Sequence, residues 1–282
     1  MFIKVAGRDF EPATMMMLRL AVASTILLVV LAGQRGARAM LTEMRGVGWE
    51  GFGLGVVNAA IPFTLIAWGE KHIDSGVAAI ANASMPIFVL LLAIRWKPSE
   101  RVRGLRLVGF LVGFVGVGVL AGVHPEGGWW GAIGTLAVVL ASLSYAVGSL
   151  WGQRLVVRTS GLTLAATSML GGLTVLLIPG LRQLPSSAPG WKEIASVLAL
   201  AVFGTALAQI ILYRVLRSDG AARVSLVTFL LPATALLYGT LLLGEPLTWQ
   251  ELAGMALILG GVALGSGALR LPRREPAAAP TP

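Results

Sequence analysis

The stretch LVGFLVGFVGVGVLAG, residues 107–122, returns 145 positions later as LAGMALILGGVALGSG, residues 252–267. The longer passages that contain these stretches, 57–122 and 203–267, share one plan. Each has an apolar run, a short charged gap, a second apolar run that contains a proline, and a glycine-rich third run. The sequence therefore predicts a duplicated domain, and its apolar character indicates that the domain lies in a membrane.

Composition supports a membrane location. The mean hydropathy is +0.82, with 56% hydrophobic and 12% charged residues, whereas about 25% charged residues is usual for soluble domains. The net charge of +9 would suggest nucleic-acid binding in a soluble protein, but here the arginines lie in the gaps between apolar runs, so we expect no nucleic-acid partner. The chain has no cysteine, which excludes thiolate metal sites, and we expect no metal and no cofactor.

The apolar runs are long enough to be membrane spans, which need roughly 20 residues to cross about 30 Å of hydrocarbon. They are continuously apolar and do not alternate, which favours an all-α polytopic protein over a β-barrel. Nine such runs follow one another: 12–32, 49–69, 75–96, 104–123, 129–153, 162–180, 193–213, 221–243 and 249–269.

The positive charges in the gaps predict the orientation. Alternate gaps and the C-terminal tail hold sixteen Lys and Arg residues, and the intervening gaps hold only Arg8, Lys71, Arg182 and Lys192. Cytoplasmic loops carry the excess of Lys and Arg, so we expect a multi-pass protein of the inner (cytoplasmic) membrane with a cytoplasmic C-terminus.

The duplication predicts one further helix. In the second copy the run 129–153 precedes the link 154–161, whose counterpart is 3–10, so the partner of that run would lie mostly before Met1. We therefore expect a ten-helix parent of two inverted five-helix repeats, with most of helix 1 missing and nine full spans here. The expected division is a first repeat, an inter-repeat link, a second repeat and a Pro/Ala-rich tail, at 1–123, 124–128, 129–269 and 270–282.

Prolines mark corresponding positions in the two copies. Pro86 and Pro232 lie near the middle of their runs, and each removes a backbone hydrogen bond and kinks its helix. The matching positions predict two kinks that face one shared cavity. Simple bending of each helix, with neighbours satisfying the freed carbonyls, is the alternative.

Polar and aromatic side chains near these kinks are the candidates for a substrate site, because polar groups are costly in lipid and should face the bundle interior. For a serine or threonine, a bond to its own helix backbone is the alternative, and for Trp68 and Trp151 it is anchoring at the membrane surface. Asn82 and Gln209 are the strongest candidates, because a buried amide needs several partners. The candidate cavity residues are Asn58, Trp68, Asn82, Ser84, Tyr145, Trp151, Gln209, Tyr213 and Thr228.

Charged residues are almost absent from the middle of the predicted spans. Arg19 is the exception; it could snorkel, pair with a carbonyl or touch an anionic group, and we expect structural pairing. No Asp or Glu lies mid-span, so the sequence offers no coupling carboxylate. His72 with Glu70 and Asp74 forms the single cluster that an enzyme could use, and a solvated turn is the stronger reading, so we expect no catalytic residue.

Several quoted motifs resemble one family. RVSLVTFLLP at 223–232, LGEPL at 243–247 and ELAG at 251–254 resemble the second repeat of the EamA-type drug/metabolite transporters, and IPFTLIAWG at 61–69 is similar to the first. The resemblance implies ten helices in inverted repeats, a central cavity, and export of small metabolites, amino acids or drugs.

The residues and the resemblance together predict a secondary transporter that exports small metabolites or amphipathic drugs by alternating access at a midplane cavity. The resemblance alone suggests aromatic amino acids as the substrates. The alternatives are a passive channel and, less favoured, a membrane-embedded enzyme. The expected partners are a small-molecule substrate and the lipid bilayer. The glycine-rich runs predict close helix packing within a monomer, with weak dimerisation as the alternative.

Overall fold

The structure is a computed structural model that describes residues 2–96, 105–121, 128–226, 234, 238–244 and 247–266. The described residues form helices throughout their regular segments, as the continuous apolar runs predict. The α-helices are α1 Phe2–Ala6, α2 Pro12–Arg35, α3 Ala37–Gly55, α4 Ile61–Gly69, α5 Ser75–Asn82, α6 Met85–Trp96, α7 Leu105–Ala121, α8 Gly128–Leu155, α9 Gly161–Arg182, α10 Trp191–Ala201, α11 Ala208–Leu226 and α12 Trp249–Ser266.

Within the described residues, five helical segments are long and apolar enough to cross a membrane: Pro12–Arg35, Ala37–Gly69, Gly128–Leu155, Gly161–Arg182 and Trp191–Asp219. Shorter apolar helices cover Ser75–Val89 and Trp249–Leu264. These segments coincide with predicted spans, and the chain is therefore a polytopic all-α membrane protein. Residues 227–233 and 235–237 of the predicted span 221–243, and the whole tail 270–282, lie outside the described residues.

Two of the longest segments contain a widened, π-helical turn. Val56–Ala60 joins α3 to α4, and Val202–Leu207 joins α10 to α11. These turns lie 146 residues apart, at corresponding places in the predicted repeats. A π-type turn leaves some backbone groups outside the regular hydrogen-bond pattern of the α-helix. Here the carbonyl of Val57 accepts a hydrogen bond from the Ser144 hydroxyl at 2.5 Å.

Helices from the two predicted repeats pack directly on each other, with α2 and α3 against α9, and α7 against α12. Glycines allow this close approach: a Cβ at Gly55 of α3 would lie 1.7 Å from the Ser168 carbonyl oxygen of α9, and one at Gly261 of α12 would lie 2.5 Å from the Gly109 carbonyl oxygen of α7. The glycine-rich runs therefore pack within the fold, as the sequence predicted.

The links between helices gather at two ends of the bundle. At one end, Lys71 of the α4–α5 link is paired with Glu11, which precedes α2, and Asp9 accepts a hydrogen bond from the Gly190 backbone N–H at 2.7 Å. At the other end, Arg35 and Arg158 line a common polar cavity. Residues from the positive-poor and positive-rich gaps thus lie at different ends. The inverted relation of the two repeats and the cytoplasmic C-terminus remain predictions.

Helix boundaries differ from the predicted spans at three places. The segment predicted to begin at residue 49 is preceded by further helix from Ala37, and a kink at Gly48, where φ is 56°, separates the two parts. The predicted gap 214–220 is part of α11, so Arg214 and Arg217 lie on a helix. The span 75–96 is interrupted at Ala83 and Ser84. Hydropathy measures whether a segment is apolar, and it does not detect helix that continues into the polar interface.

The interruption moves Pro86 from mid-helix to the second position of α6. Proline is well tolerated in the first turn of a helix, where its missing N–H has no intrahelical partner anyway. Pro86 therefore follows a helix break, whereas we had predicted a kink within one continuous helix. Pro232 lies outside the described residues, so the matching kink in the second copy stays a prediction.

Candidate functional site

Two adjoining chambers lie inside the helix bundle. The large chamber has a volume of about 790 Å³ and the small chamber about 410 Å³. Their walls have five residues in common, which we call the junction: Arg19, Phe63, Asn82, Tyr145 and Gly204. The chambers therefore meet at one place, and their lining is mixed polar and apolar, as is usual for small-molecule sites.

Both predicted repeats contribute to the junction. Arg19 comes from α2, Phe63 from α4 and Asn82 from the last position of α5, while Tyr145 belongs to α8. Gly204 lies in the π-helical turn Val202–Leu207. The widened turn of one predicted repeat thus faces helices of the other across the cavity.

Arg19 is buried at the junction, with 7% of its surface exposed. Its Nε–H donates to the Thr205 hydroxyl at 2.6 Å, and Nη2 donates to the Gly204 carbonyl at 3.1 Å. Nη1 makes a long contact of 3.7 Å with the Met16 sulfur. The guanidinium also stacks on Phe63, with 3.8 Å from Cζ to the ring centroid, which is a cation–π contact. All of these partners are neutral.

Asn82 sits where the helix breaks ahead of Pro86. The Ser142 hydroxyl of α8 lies 3.3 Å from the Asn82 backbone oxygen and 3.1 Å from its Oδ1. That backbone oxygen would have accepted from residue 86 in a continuous helix, and proline has no N–H to give. The Ser142 hydroxyl of the neighbouring helix therefore donates a hydrogen bond to the freed Asn82 carbonyl. The helix break places the Asn82 side chain at the junction.

Two aromatic rings meet beside Arg19. Phe63 and Tyr145 lie edge to face, with ring centroids 6.2 Å apart. The Tyr145 hydroxyl makes no hydrogen bond within the described parts of the chain. It faces the cavity, where it can donate to or accept from a bound molecule.

The small chamber adds polar groups from α8, α11 and the first π-helical turn. Asn58, Ser149 and Gln209 line it, and each is at most 7% exposed. The Oε1 atom of Gln209 is buried with no hydrogen-bond partner among the described residues. A buried acceptor without a partner costs free energy, so a bound molecule that donates to it would recover that cost.

The large chamber extends toward the end where α1 and the α4–α5 link meet. Glu70 and Ser75 line it there, and Lys4 forms an ion pair with Asp74 at 2.5 Å. The sequence predicts Glu70 at a span end, and in the structure it directly follows α4 and lies on the chamber wall. A carboxylate is thus available in the chamber even though none lies mid-span.

Four of the predicted cavity residues line the chambers: Asn58, Asn82, Tyr145 and Gln209. Four others lie elsewhere. Ser84 is buried and donates to the Ala81 carbonyl at 2.7 Å, which is the backbone role weighed for every serine. Thr228 lies outside the described residues.

The remaining three are aromatic. Tyr213 is 1% exposed and packs behind the small chamber, with its hydroxyl 3.4 Å from that of Ser168. Trp68 stacks on His72 at 4.7 Å, and Trp151 packs on Trp49 at 6.2 Å. None of the three lines either chamber, because each finds its partners in the surrounding helices.

Sequence reasoning undervalued Arg19 and did not select Phe63. Arg19 carried a usable signal, since a charge inside a span is a functional candidate by default. Phe63 carried none, because one phenylalanine in an apolar run resembles any lipid-facing residue. Its role follows from its contact with Arg19, which depends on the fold.

Comparison with known proteins identifies the family. The EamA-like transporter family matches the chain twice, over residues 1–122 and 132–266. An uncharacterized transporter of Archaeoglobus fulgidus is 30% identical over 261 residues, which are 92% of this chain and 90% of that protein. The uncharacterized inner membrane transporter YedA of Escherichia coli is 28% identical, over 75% of this chain and 68% of its own length.

A third relative and a solved structure agree with this assignment. Protein PecM of Dickeya dadantii is 26% identical over 76% of this chain and 72% of its own length. A crystal structure with 17% identity matches the fold with a TM-score of 0.70, covering 95% of this chain and 92% of that chain. The chain therefore belongs to the EamA-like transporter family, and it is a multi-pass membrane transporter, not an enzyme.

Proposed function

We propose that this transporter is a secondary carrier that exports small amphipathic metabolites, aromatic amino acids or drugs by alternating access. The observation that carries the proposal is the junction, at which side chains from both predicted repeats meet between two chambers. A site between repeats is the arrangement in which rocking of one repeat against the other exposes a bound molecule to each membrane face in turn.

The chemistry of the walls supports an amphipathic substrate. Phe63 and Tyr145 offer aromatic surface at the junction, and the Gln209 Oε1 atom and Asn82 offer hydrogen-bonding groups nearby. The name of YedA, an inner membrane transporter, and the excess of Arg in alternate gaps support an inner-membrane location with a cytoplasmic C-terminus.

Counterflow in proteoliposomes tests the carrier mechanism. Vesicles loaded with unlabelled substrate are diluted into a trace of labelled substrate, using phenylalanine, tryptophan and tetraphenylphosphonium as separate probes. A carrier accumulates label transiently above its external concentration, because exchange is faster than net loss. A passive channel only equilibrates the label, and that result with all three probes would contradict the proposal.

An Asn82→Leu variant and protein-free vesicles provide the controls. Asn82→Leu keeps a similar side-chain volume at the junction but removes the amide, so we expect at least about a 10-fold loss of the initial exchange rate, the cost of one lost polar contact. Protein-free vesicles report passive leakage of each probe.

A further inference from the structure

Arg19 is a buried cation that forms no direct ion pair among the described residues, although the Glu70 carboxylate of the same chamber acts on its charge from a distance. None of the ion pairs there includes it, and its contacts are a hydroxyl, a carbonyl, a thioether and an aromatic face. A charge inside a membrane protein is costly and is normally paired. Neutral partners reduce that cost, and they leave the formal charge free to attract an anion.

The guanidinium also has donors to spare. Arginine has five N–H groups, and three hydrogen bonds are formed, one each from Nε, Nη1 and Nη2. Two N–H groups, one on each Nη atom, therefore have no acceptor within the described parts of the chain. Paired N–H groups of this kind match the two oxygens of a carboxylate.

Arg19 is held in place on the cavity wall. Thr205 fixes its Nε side, and the Thr205 hydroxyl also bonds to the Leu200 carbonyl at 2.8 Å, so this acceptor is itself positioned. Phe63 supports one face of the guanidinium plane. Since the group lines both chambers, a molecule in either chamber can reach it without rearrangement of the helices.

We infer that Arg19 is an anion subsite, which binds the carboxylate of a substrate that carries one. This inference rests on the proposed carrier function and adds a substrate class to it: amphipathic monocarboxylates, including zwitterionic amino acids. The apolar part of the molecule lies in the large chamber, whose walls include Phe2, Ile66 and Leu200.

The charges around the cavity favour a carboxylate over a phosphate. Arg19 is the one cation among the described lining residues of the two chambers, and Glu70 contributes a negative charge to the large chamber. A single cation balances one negative charge, and Glu70 repels a second. The same carboxylate can attract the ammonium group of a zwitterion.

Matched acid and amide ligands test the subsite on the unaltered protein. Purified protein in detergent is titrated with phenylacetate and phenylacetamide, and with phenylalanine and phenylalaninamide, and affinity is obtained from the rise of the thermal midpoint with concentration. We expect at least one acid to bind about 10- to 100-fold more tightly than its amide, the difference expected for a charged hydrogen bond. Equal affinities in both pairs would overturn the inference.

Substitutions of Arg19 test whether this residue causes the preference for acids over amides. Arg19→Gln removes the charge and should abolish the acid preference, and Arg19→Lys keeps the charge without the planar fork and should retain part of it. Arg182→Gln makes the same charge change at an exposed helix end and should leave the preference intact. An Arg19→Gln protein that melts lower but still prefers the acid would show a structural role only. If Arg19→Gln does not fold, the acid and amide affinities of the unaltered protein and of Arg19→Lys decide whether Arg19 is the subsite.

The binding and counterflow experiments distinguish failure of the anion subsite from failure of the carrier mechanism. An Arg19-dependent acid preference without counterflow contradicts the carrier mechanism and supports the subsite. Counterflow that is equally fast for acids and amides contradicts the subsite and supports the carrier.

Discussion

At the residue scale, buried polar atoms without partners mark the places where a bound molecule can interact. Gln209 Oε1 is one such atom on the small-chamber wall, and Ser24 Oγ is another on α2. The sequence selects Gln209 as a candidate because a buried amide is difficult to satisfy, and the structure places it on the small-chamber wall. The sequence misplaced Tyr213 for the opposite reason, since one hydroxyl is easily satisfied, and Ser168 lies within reach.

Gln209→Leu should stabilise the ligand-free protein by about 1 kcal/mol, because leucine removes an unsatisfied buried acceptor at similar volume. The measurement is the thermal midpoint in detergent. Gln183→Leu is the matched control: Gln183 Oε1 accepts from the Ala13 backbone N–H at 3.3 Å, so its loss should be neutral or slightly destabilising. A clear drop in the midpoint for Gln209→Leu would show that this amide has a partner in solution.

At the element scale, two features shape the cavity: a helix break before Pro86, and a π-helical turn in two of the long segments, Ala37–Gly69 and Trp191–Asp219. The proline made the first predictable in position, although the sequence could not distinguish a kink from a break. The π-helical turns had no sequence signal. An extra residue in one turn changes the backbone hydrogen-bond pattern of the helix but leaves its hydropathy unchanged. Their positions depend on which freed carbonyls find a hydrogen-bond donor in the folded bundle, as the Val57 carbonyl finds the Ser144 hydroxyl.

Ser142→Ala tests the helix break. Removing the hydroxyl leaves the Asn82 carbonyl without its neighbour, and we expect a loss of about 1 kcal/mol in unfolding free energy. Ser24→Ala removes a buried hydroxyl that has no hydrogen-bond partner in the described parts of the chain, so it should change stability by less than about 0.5 kcal/mol. Equal effects of the two substitutions, measured by thermal melting, would argue against a role for Ser142 at the break.

Gly55→Ala tests the close contact of α3 with α9. The added methyl would overlap the Ser168 carbonyl, so the helices must separate, and we expect a loss of about 3 kcal/mol or no folded protein. In α2, Gly33→Ala meets nothing within 4 Å and should instead stabilise by about 0.5 to 1 kcal/mol. Monodispersity and the thermal midpoint measure the effects of both substitutions. A monodisperse Gly55→Ala protein with an unchanged midpoint would contradict the close contact of α3 with α9.

At the scale of the whole molecule, the duplication was readable from the sequence because helices that pack closely must repeat their glycines. The family match over 1–122 and 132–266 agrees with two copies. The location of the cavity was harder to predict, because it depends on which faces of several helices converge. A single sequence shows the periodicity of each helix but does not show which helices lie next to one another.

Linking Lys4 to Asp74 should stop transport. The two residues join α1 to the α4–α5 link at one end of the bundle, and alternating access requires each end to open. The chain has no cysteine, so Lys4→Cys with Asp74→Cys can be joined by a short bis-methanethiosulfonate reagent, which links the two thiols through reducible disulfides. We expect counterflow to fall to the background rate and to recover on reduction. A linked pair within one loop, Lys71→Cys with Asp74→Cys, should transport normally.

Single cysteines test the orientation. A membrane-impermeant maleimide added outside intact cells should label Arg8→Cys and spare Arg38→Cys, because the gap with fewer positive charges faces outward. Labelling of Arg38→Cys alone would reverse the assignment of the two ends.

The charge of Arg19 makes the interior electrically one-sided. Its helix, α2, packs on α9, the corresponding helix of the second copy, and α9 carries no charged residue before Arg182. Duplication alone would give a cavity in which a molecule fits equally well either way round. If Arg19 binds a carboxylate as we infer, that ligand has one preferred pose in the cavity, and it keeps that polarity relative to the bilayer throughout its passage.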